Sequence, residues 1–195
     1  MTENIEIHPL SPFLPPNAKM LMLGSFPPPK HRWKMNFYYP NFQNDMWRIY
    51  GLVFFDNKDY FLNEDKTAFD QPRIEQFLQE KGIAVFDSGY KIFRQQGNAS
   101  DKFLQIIEPV DIAKLLSKIP HCHTIMTAGE KATETLLSLL PNKIDTPATG
   151  ESCQFEINNQ LYRLYRLPSS SRAYPLALNK KAEIYRQFFI DISML

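Results

Sequence analysis

The sequence predicts an α/β fold, a three-layer α/β/α sandwich in which helices cover both faces of a short, mostly parallel sheet. Two observations carry this. Residues 19–23 (KMLML), 83–86 (IAVF) and 124–127 (TIMT) are short, largely apolar runs, the pattern of strands buried on both faces. Segments with helical spacing of apolar residues separate them, and strands that alternate with helices pair in parallel.

Each element follows from local chemistry. The lead-in 8–18 (HPLSPFLPPNA) holds four prolines and is expected to run extended over the surface. The first strand, 19–23, closes at Gly24 and opens into an aromatic, proline-rich loop. Asn44 or Asp45 caps a helix containing Met46, Trp47, Ile49 and Tyr50. Residues 54–69 show no period and read as loop with some helix. Asp70, with Pro72 in the first turn, opens a helix on which Ile74, Phe77 and Leu78 share a face, and Gly82 ends it. The second strand, 83–86, stops at Asp87. After a polar loop at 94–100, Ser100 caps a turn of helix running into Phe103 and Leu104. Asp111 starts a helix that Pro120 stops. The third strand leads through Ala128 and Gly129 into a helix ending near Leu140. Residues 154–157 and 161–167 read as strands joined at Asn158-Asn159, a hairpin turn. A serine loop at 168–175 precedes the last helix, 179–190.

Composition bounds the function. The chain has 195 residues, 22 Lys+Arg against 21 Asp+Glu, and a formal net charge of +1. That suits one domain and argues against a basic coat protein or an acidic tail. Cys122 and Cys153, the two cysteines, cannot complete a four-thiolate metal site. Residues 1–7 lack the basic start and apolar run of a signal peptide, and no stretch reaches membrane-span length, so a cytoplasmic protein is expected. Fifteen prolines against seven glycines predict stiff, shaped loops.

In open parallel sheets the ligand site lies beyond the carboxyl ends of the strands. Four loops emerge there, at 24–42, 87–100, 127–131 and 168–175. In the first, Gly24, Ser25, Phe26 and Pro27 leave the strand rigidly, and the N–H groups of Ser25 and Phe26 can face a ligand; the alternative is a loop that only covers the sheet edge. Phe37 and Tyr39 offer ring faces for stacking on a base or can serve as buried anchors. Asn44 carries the donor and acceptor that read a base edge, or caps the helix. Lys30 and Arg32 sit in a basic cluster that can track phosphates or be a solvated loop. Pro168, Ser169, Ser170, Ser171 and Arg172 form a phosphate cradle or a turn with a cap. Asp87 can orient a base or water, or bond structurally to the next loop. His121, Cys122 and His123 stand at the amino end of the third strand, away from these loops.

One ordered set of motifs runs from 19 to 174. It comprises Leu23-Gly24-Ser25-Phe26-Pro27, then Tyr38-Tyr39 with Asn44 and Trp47 in the pattern Tyr-Tyr-x-x-x-x-Asn-x-x-Trp, then 82–87 (GIAVFD), 94–101 (RQQGNASD) and 167–171 (LPSSS). This set resembles the uracil-DNA glycosylase superfamily, and within it the branch of mismatch-specific uracil and DNA-deoxyinosine (hypoxanthine) glycosylases. The resemblance implies a single domain over 1–195, with 1–18 as lead-in, built on a four-stranded parallel sheet. It implies a monofunctional enzyme, acting as a monomer without metal or cofactor, that flips a deaminated base out of DNA and hydrolyses its N-glycosidic bond. Tyr39 then stacks the base, Ser25 and Phe26 N–H groups and Asn44 meet its polar edge, and the serine loop pinches phosphates, with Arg172 or Tyr174 filling the gap. Phe26 stands where many relatives carry an Asn or Asp that positions water. Residues 40–42 (PNF) replace Ala-His-Pro, and 170–174 (SSRAY) replace Thr-Ser-Pro-Ala-Asn. The base cut therefore stays open, and a catalytically silent DNA-binding module on the same fold is the alternative. A nucleoside or ester hydrolase using Ser25 or Asp87 lacks a recognisable triad.

Overall fold

The computed structural model describes residues 4–95 and 100–195. Residues 96–99 of the 94–101 motif, and residues 1–3, lie outside the described residues. In chain order the elements are β1 (Ile5–Ile7), β2 (Met20–Gly24), α1 (Met46–Phe55), α2 (Gln71–Lys81), β3 (Ile83–Asp87), β4 (Gly89–Arg94), β5 (Leu104–Pro109), α3 (Ile112–Ser117), β6 (Thr124–Ala128), α4 (Glu130–Ser138), β7 (Ser152–Ile157), β8 (Gln160–Leu167) and α5 (Leu178–Asp191).

The main sheet has five strands in the order β3-β2-β6-β8-β7. β3, β2, β6 and β8 are parallel, and β7 pairs antiparallel with β8. The expected four-stranded sheet is thus corrected to four parallel strands plus an antiparallel edge. The Asn158-Asn159 turn makes that edge: both residues have positive φ, 52° and 62°, as a two-residue hairpin requires. β2 and β3 are buried along their whole length, because helices lie on both faces. Tyr165 of β8 packs on Phe188 of α5. Its neighbour Arg166 points to the other face and pairs with Glu130 of α4. On the α5 face, Tyr50 and Phe54 of α1 meet Phe77 of α2 and Phe189 of α5.

Helix boundaries follow side-chain caps. Asp70 Oδ1 accepts from Arg73 N at 3.1 Å, Asp111 Oδ1 from Lys114 N at 3.0 Å, and Gly82 closes α2 with φ of 71°, in the left-handed region that favours glycine.

A second, antiparallel sheet, β1-β4-β5, was not expected from sequence. Its strands are short and mix charge with apolar residues, and β1 finds its partner β4 far along the chain. The lead-in is corrected with it. Ile5–Ile7 forms β1, Phe13 bridges to Val85 of β3, and His8 is buried. Arg94 of β4 donates to both carboxylate oxygens of Glu6, at 2.9 and 3.2 Å, which ties the lead-in to this sheet.

Gly51 lies inside α1, where alanine ordinarily gains about 1 kcal/mol over glycine. Here a methyl at Gly51 falls on the backbone carbonyl oxygen of Asn57, in the turn that follows the helix. The sign reverses: Gly51→Ala is expected to lose about 1–3 kcal/mol by overpacking. A urea unfolding midpoint higher than wild type's would contradict this.

Candidate active site

A cavity of about 740 Å³ opens at the carboxyl ends of β2, β3, β6 and β8. It lies where the chain from β2 crosses to one side and β6 flanks the other, the switch point at which such sheets take ligands. All four loops named above contribute lining residues, together with Asn44 at the start of α1.

The first loop is fixed from behind. Gly24 O accepts from Ser88 N at 2.8 Å and Ser25 O from Gly89 N at 2.9 Å. In a trans peptide the carbonyl and the following N–H point oppositely, so the N–H groups of Ser25 and Phe26 face away from those bonds. Among the described residues neither N–H has an acceptor. Two side chains hold the prolines: Arg94 donates to Pro27 O at 2.9 Å and Trp33 Nε1 to Pro28 O at 2.7 Å. Two adjacent free donors on a fixed loop suit a developing negative charge.

The floor is built around an absent side chain. Gly24 pairs in register with Asp87, and a methyl at Gly24 would meet Asp87 Oδ1 at 2.5 Å and the Tyr39 hydroxyl at 2.8 Å. Tyr39 sits at φ of 51°, a left-handed backbone that costs a bulky residue about 1–3 kcal/mol. Both flanking carbonyls hold it there, Tyr38 O accepting from Trp47 Nε1 at 2.9 Å and Pro40 O from Lys34 N at 2.8 Å. The Tyr39 hydroxyl is buried with no hydrogen-bond partner among the described residues. Burial raises its pKa well above the ordinary phenol range, and the Asp87 charge adds to this. It therefore stays an O–H donor at neutral pH.

Asp87 stands beside this hydroxyl over Gly24, and a second carboxylate, Asp101, lines the same cavity. Asp87 Oδ2 lies 2.7 Å from His8 Nε2, and its Oδ1 faces the space over Gly24. Asp101 accepts from the Ser25 hydroxyl at 2.6 Å. Burial raises the Asp101 carboxyl above the usual range against the pull of that hydroxyl, and the Asp87 charge pushes it further up.

Asn44 does two things. Its Oδ1 accepts from Met46 N at 3.0 Å, which covers a free donor of α1. Its amide NH2 has no partner among the described residues, and the side chain lines the cavity. The serine loop is strapped opposite. Asp45 N donates to Ser170 O at 2.8 Å and Arg172 N to Gln43 O at 3.0 Å. Tyr185 donates to Pro168 O at 2.9 Å, and the buried Lys181 to Ser171 O at 2.7 Å.

Gly24, Ser25, Phe26, Pro27, Tyr39, Asn44, Asp87, Arg32, Ser169, Ser170, Ser171 and Arg172 all line the cavity. Phe37, Lys30 and Pro168 do not. Phe37 packs edge-on against Phe13 and Tyr38 in the core, Lys30 lies over the Trp33 ring outside the cavity, and Pro168 is buried behind the serine loop. Ser170 is only 2% exposed, so it forms wall rather than outer surface. Arg172 Nε donates to Asp45 Oδ1 at 3.0 Å, which pins this arginine at the rim. Sequence reasoning missed His8, Lys102 and Lys131, and left Asp101 out of the candidate residues although its motif was in view. The lining carries Arg32, Lys102, Lys131 and Arg172 against Asp87, Asp101, Glu130 and Glu134. Cys122, by contrast, is buried and donates to Thr124 O, with its thiol pushed up to about 12 by burial. Among the described residues no three His, Cys, Asp or Glu side chains cluster as a metal site, and no helix is long and apolar enough to cross a membrane.

Two outcomes are expected. Gly24→Ala forces Asp87 or Tyr39 aside and lowers thermal stability, because the new methyl meets oxygens inside contact distance. Asp101 keeps its proton to higher pH folded than unfolded, so native protein binds more protons above the ordinary Asp range near 3.9 and stability falls as pH rises. Asp101→Asn removes that penalty. Its melting temperature relative to wild type should rise between acid and neutral pH, and a difference constant with pH would contradict the assignment.

No family model and no curated protein matches this chain. Among solved structures, it is similar to the solution structure of a candidate uracil DNA glycosylase from Methanosarcina acetivorans, with a TM-score of 0.56 and 21% identity over 94% of this chain and 98% of that one. The chain therefore shares the mixed α/β fold of that protein.

Proposed function

We propose that this chain is a monofunctional DNA glycosylase that takes a deaminated base, uracil or hypoxanthine, into the cavity and hydrolyses its N-glycosidic bond. One observation carries the reading. Unpartnered donors, the Ser25 and Phe26 N–H groups and the Asn44 amide, belong to residues that line the cavity whose floor also holds the Asp87 carboxylate. Its volume of about 740 Å³ falls within the ~300–1,000 Å³ of small-molecule sites. The shared fold supports the same reading.

The chemistry follows from charge. A water oxygen attacks the anomeric carbon as the carbon–nitrogen bond breaks, and the bonding electron pair leaves on the base. The proton lost by water passes to Asp87 and then to solvent. The departing base gathers negative charge on its carbonyl oxygen, where the Ser25 and Phe26 N–H groups and the Asn44 amide donate. Arg32, Lys102 and Arg172 at the rim meet phosphates. Across the whole lining four carboxylates offset four cations, which keeps the grip modest, and its affinity falls as salt rises.

Asn44→Asp separates capping from base reading. It keeps an oxygen for Met46 N but loses the NH2 donor, so base release from uracil- or hypoxanthine-containing duplexes should fall about 10²–10³-fold with the melting temperature unchanged. Asn44→Ala should lose activity and also about 1 kcal/mol of stability. An abasic-site cleavage assay checks both. Salt-dependent DNA binding with no base release from any such duplex would replace this reading with the silent binding module.

A further inference from the structure

His8 comes from the lead-in, 79 residues before Asp87 in the chain, and its imidazole is completely buried. Three rings hold its plane: Phe86 at 4.7 Å, Phe26 edge-on at 5.1 Å and Tyr38 at 6.0 Å between centroids. Its Nδ1 lies 3.0 Å from Leu10 O and 3.2 Å from Leu10 N. The same residue therefore offers an acceptor to a protonated Nδ1 and a donor to a bare one, and both ring nitrogens are satisfied in either charge state. No solvent reaches this ring, and among the described residues its polar contact toward the cavity is the 2.7 Å one to Asp87 Oδ2.

We propose that His8 is the positioning residue of the site: from behind the floor its Nε2 holds Asp87 Oδ2, so that Oδ1 alone is presented to the water or substrate donor in the cavity. This rests on the reading of Asp87 as a functional carboxylate. A carboxylate free to rotate about its Cβ–Cγ bond presents either oxygen and disperses its charge; one pinned at Oδ2 has a fixed lone-pair direction, which is what aligning an attacking water needs. β1, the Glu6–Arg94 pair and the Pro27 carbonyl form the frame that keeps His8 in place.

The test uses the whole chain and the variants His8→Ala, His8→Gln, Asp87→Ala and His8→Ala/Asp87→Ala, with base release and an imidazole nitrogen NMR spectrum as readouts. His8→Ala should lower kcat about 10–100-fold, as loss of an orienting partner does, with KM within twofold. His8→Gln, whose amide N–H can replace Nε2, should recover most of the rate. In the Asp87→Ala background His8→Ala should add no further loss. Losses that multiply in the double variant, or a His8→Gln as slow as His8→Ala at equal stability, overturn the proposal. If His8→Ala does not fold, His8→Gln and the spectrum decide. If the wild-type chain releases no base, the glycosylase reading falls. The spectrum then judges the pair: a slowly exchanging His8 Nε2–H that shifts on Asp87→Ala upholds it, and a spectrum indifferent to that change overturns it.

Discussion

Everything at the cavity depends on one close approach, between the bare backbone of Gly24 at the end of β2 and the Asp87 carboxylate at the end of β3. These two residues are paired in the parallel ladder, so their separation is set by strand spacing and cannot be relaxed by a loop. Because position 24 has no side chain, Asp87 Oδ1 and the Tyr39 hydroxyl share the space over it. Any larger residue would fill the floor with carbon. The glycine is needed for space, and its backbone is that of an ordinary strand.

From that point constraint spreads outward through backbone carbonyls. Those of Gly24 and Ser25 are taken by Ser88 and Gly89, those of Pro27 and Pro28 by Arg94 and Trp33, those of Tyr38 and Pro40 by Trp47 and Lys34. Satisfying the acceptors on the protein side leaves the donors for a ligand. The serine loop repeats this, its carbonyls held by Tyr185, Asp45 and Lys181. The site is thus rigid by default, and the strain at Tyr39 is held by its neighbours on both sides. The same rigidity leaves its electrostatics finely divided. Two carboxylates, Asp87 and Asp101, line the cavity with neutral donors, and the cations stay at the rim.

The parts of this design that could be read in the sequence are those whose causes are local. Asp70, Asp111 and Gly82 act on their own helix ends, and the apolar runs of β2, β3 and β6 announce burial by composition. The four loops follow from parallel strand order, which is why Gly24, Ser25, Tyr39, Asn44 and Asp87 could be singled out together. Phe37 was the instructive exception. It neighbours Tyr38 and Tyr39 in an aromatic run, but packs on Phe13, Tyr38 and Trp47 in the core, and only the two tyrosines reach the cavity. No local pattern encodes the backbone at Tyr39, since a positive φ at a tyrosine runs against its propensity.

What the sequence determined by itself is the alternation of strands and helices, the end of the sheet where the cavity opens, and many of the side chains that line it. Burial and capping are short-range preferences that each segment carries alone. The second sheet, the union of His8 with Asp87 across 79 residues, the bond of Ser25 to Asp101 and the inward turn of Phe37 were decided only by tertiary structure. Each requires segments distant in the chain to meet, and what makes them meet is the closing of the whole core.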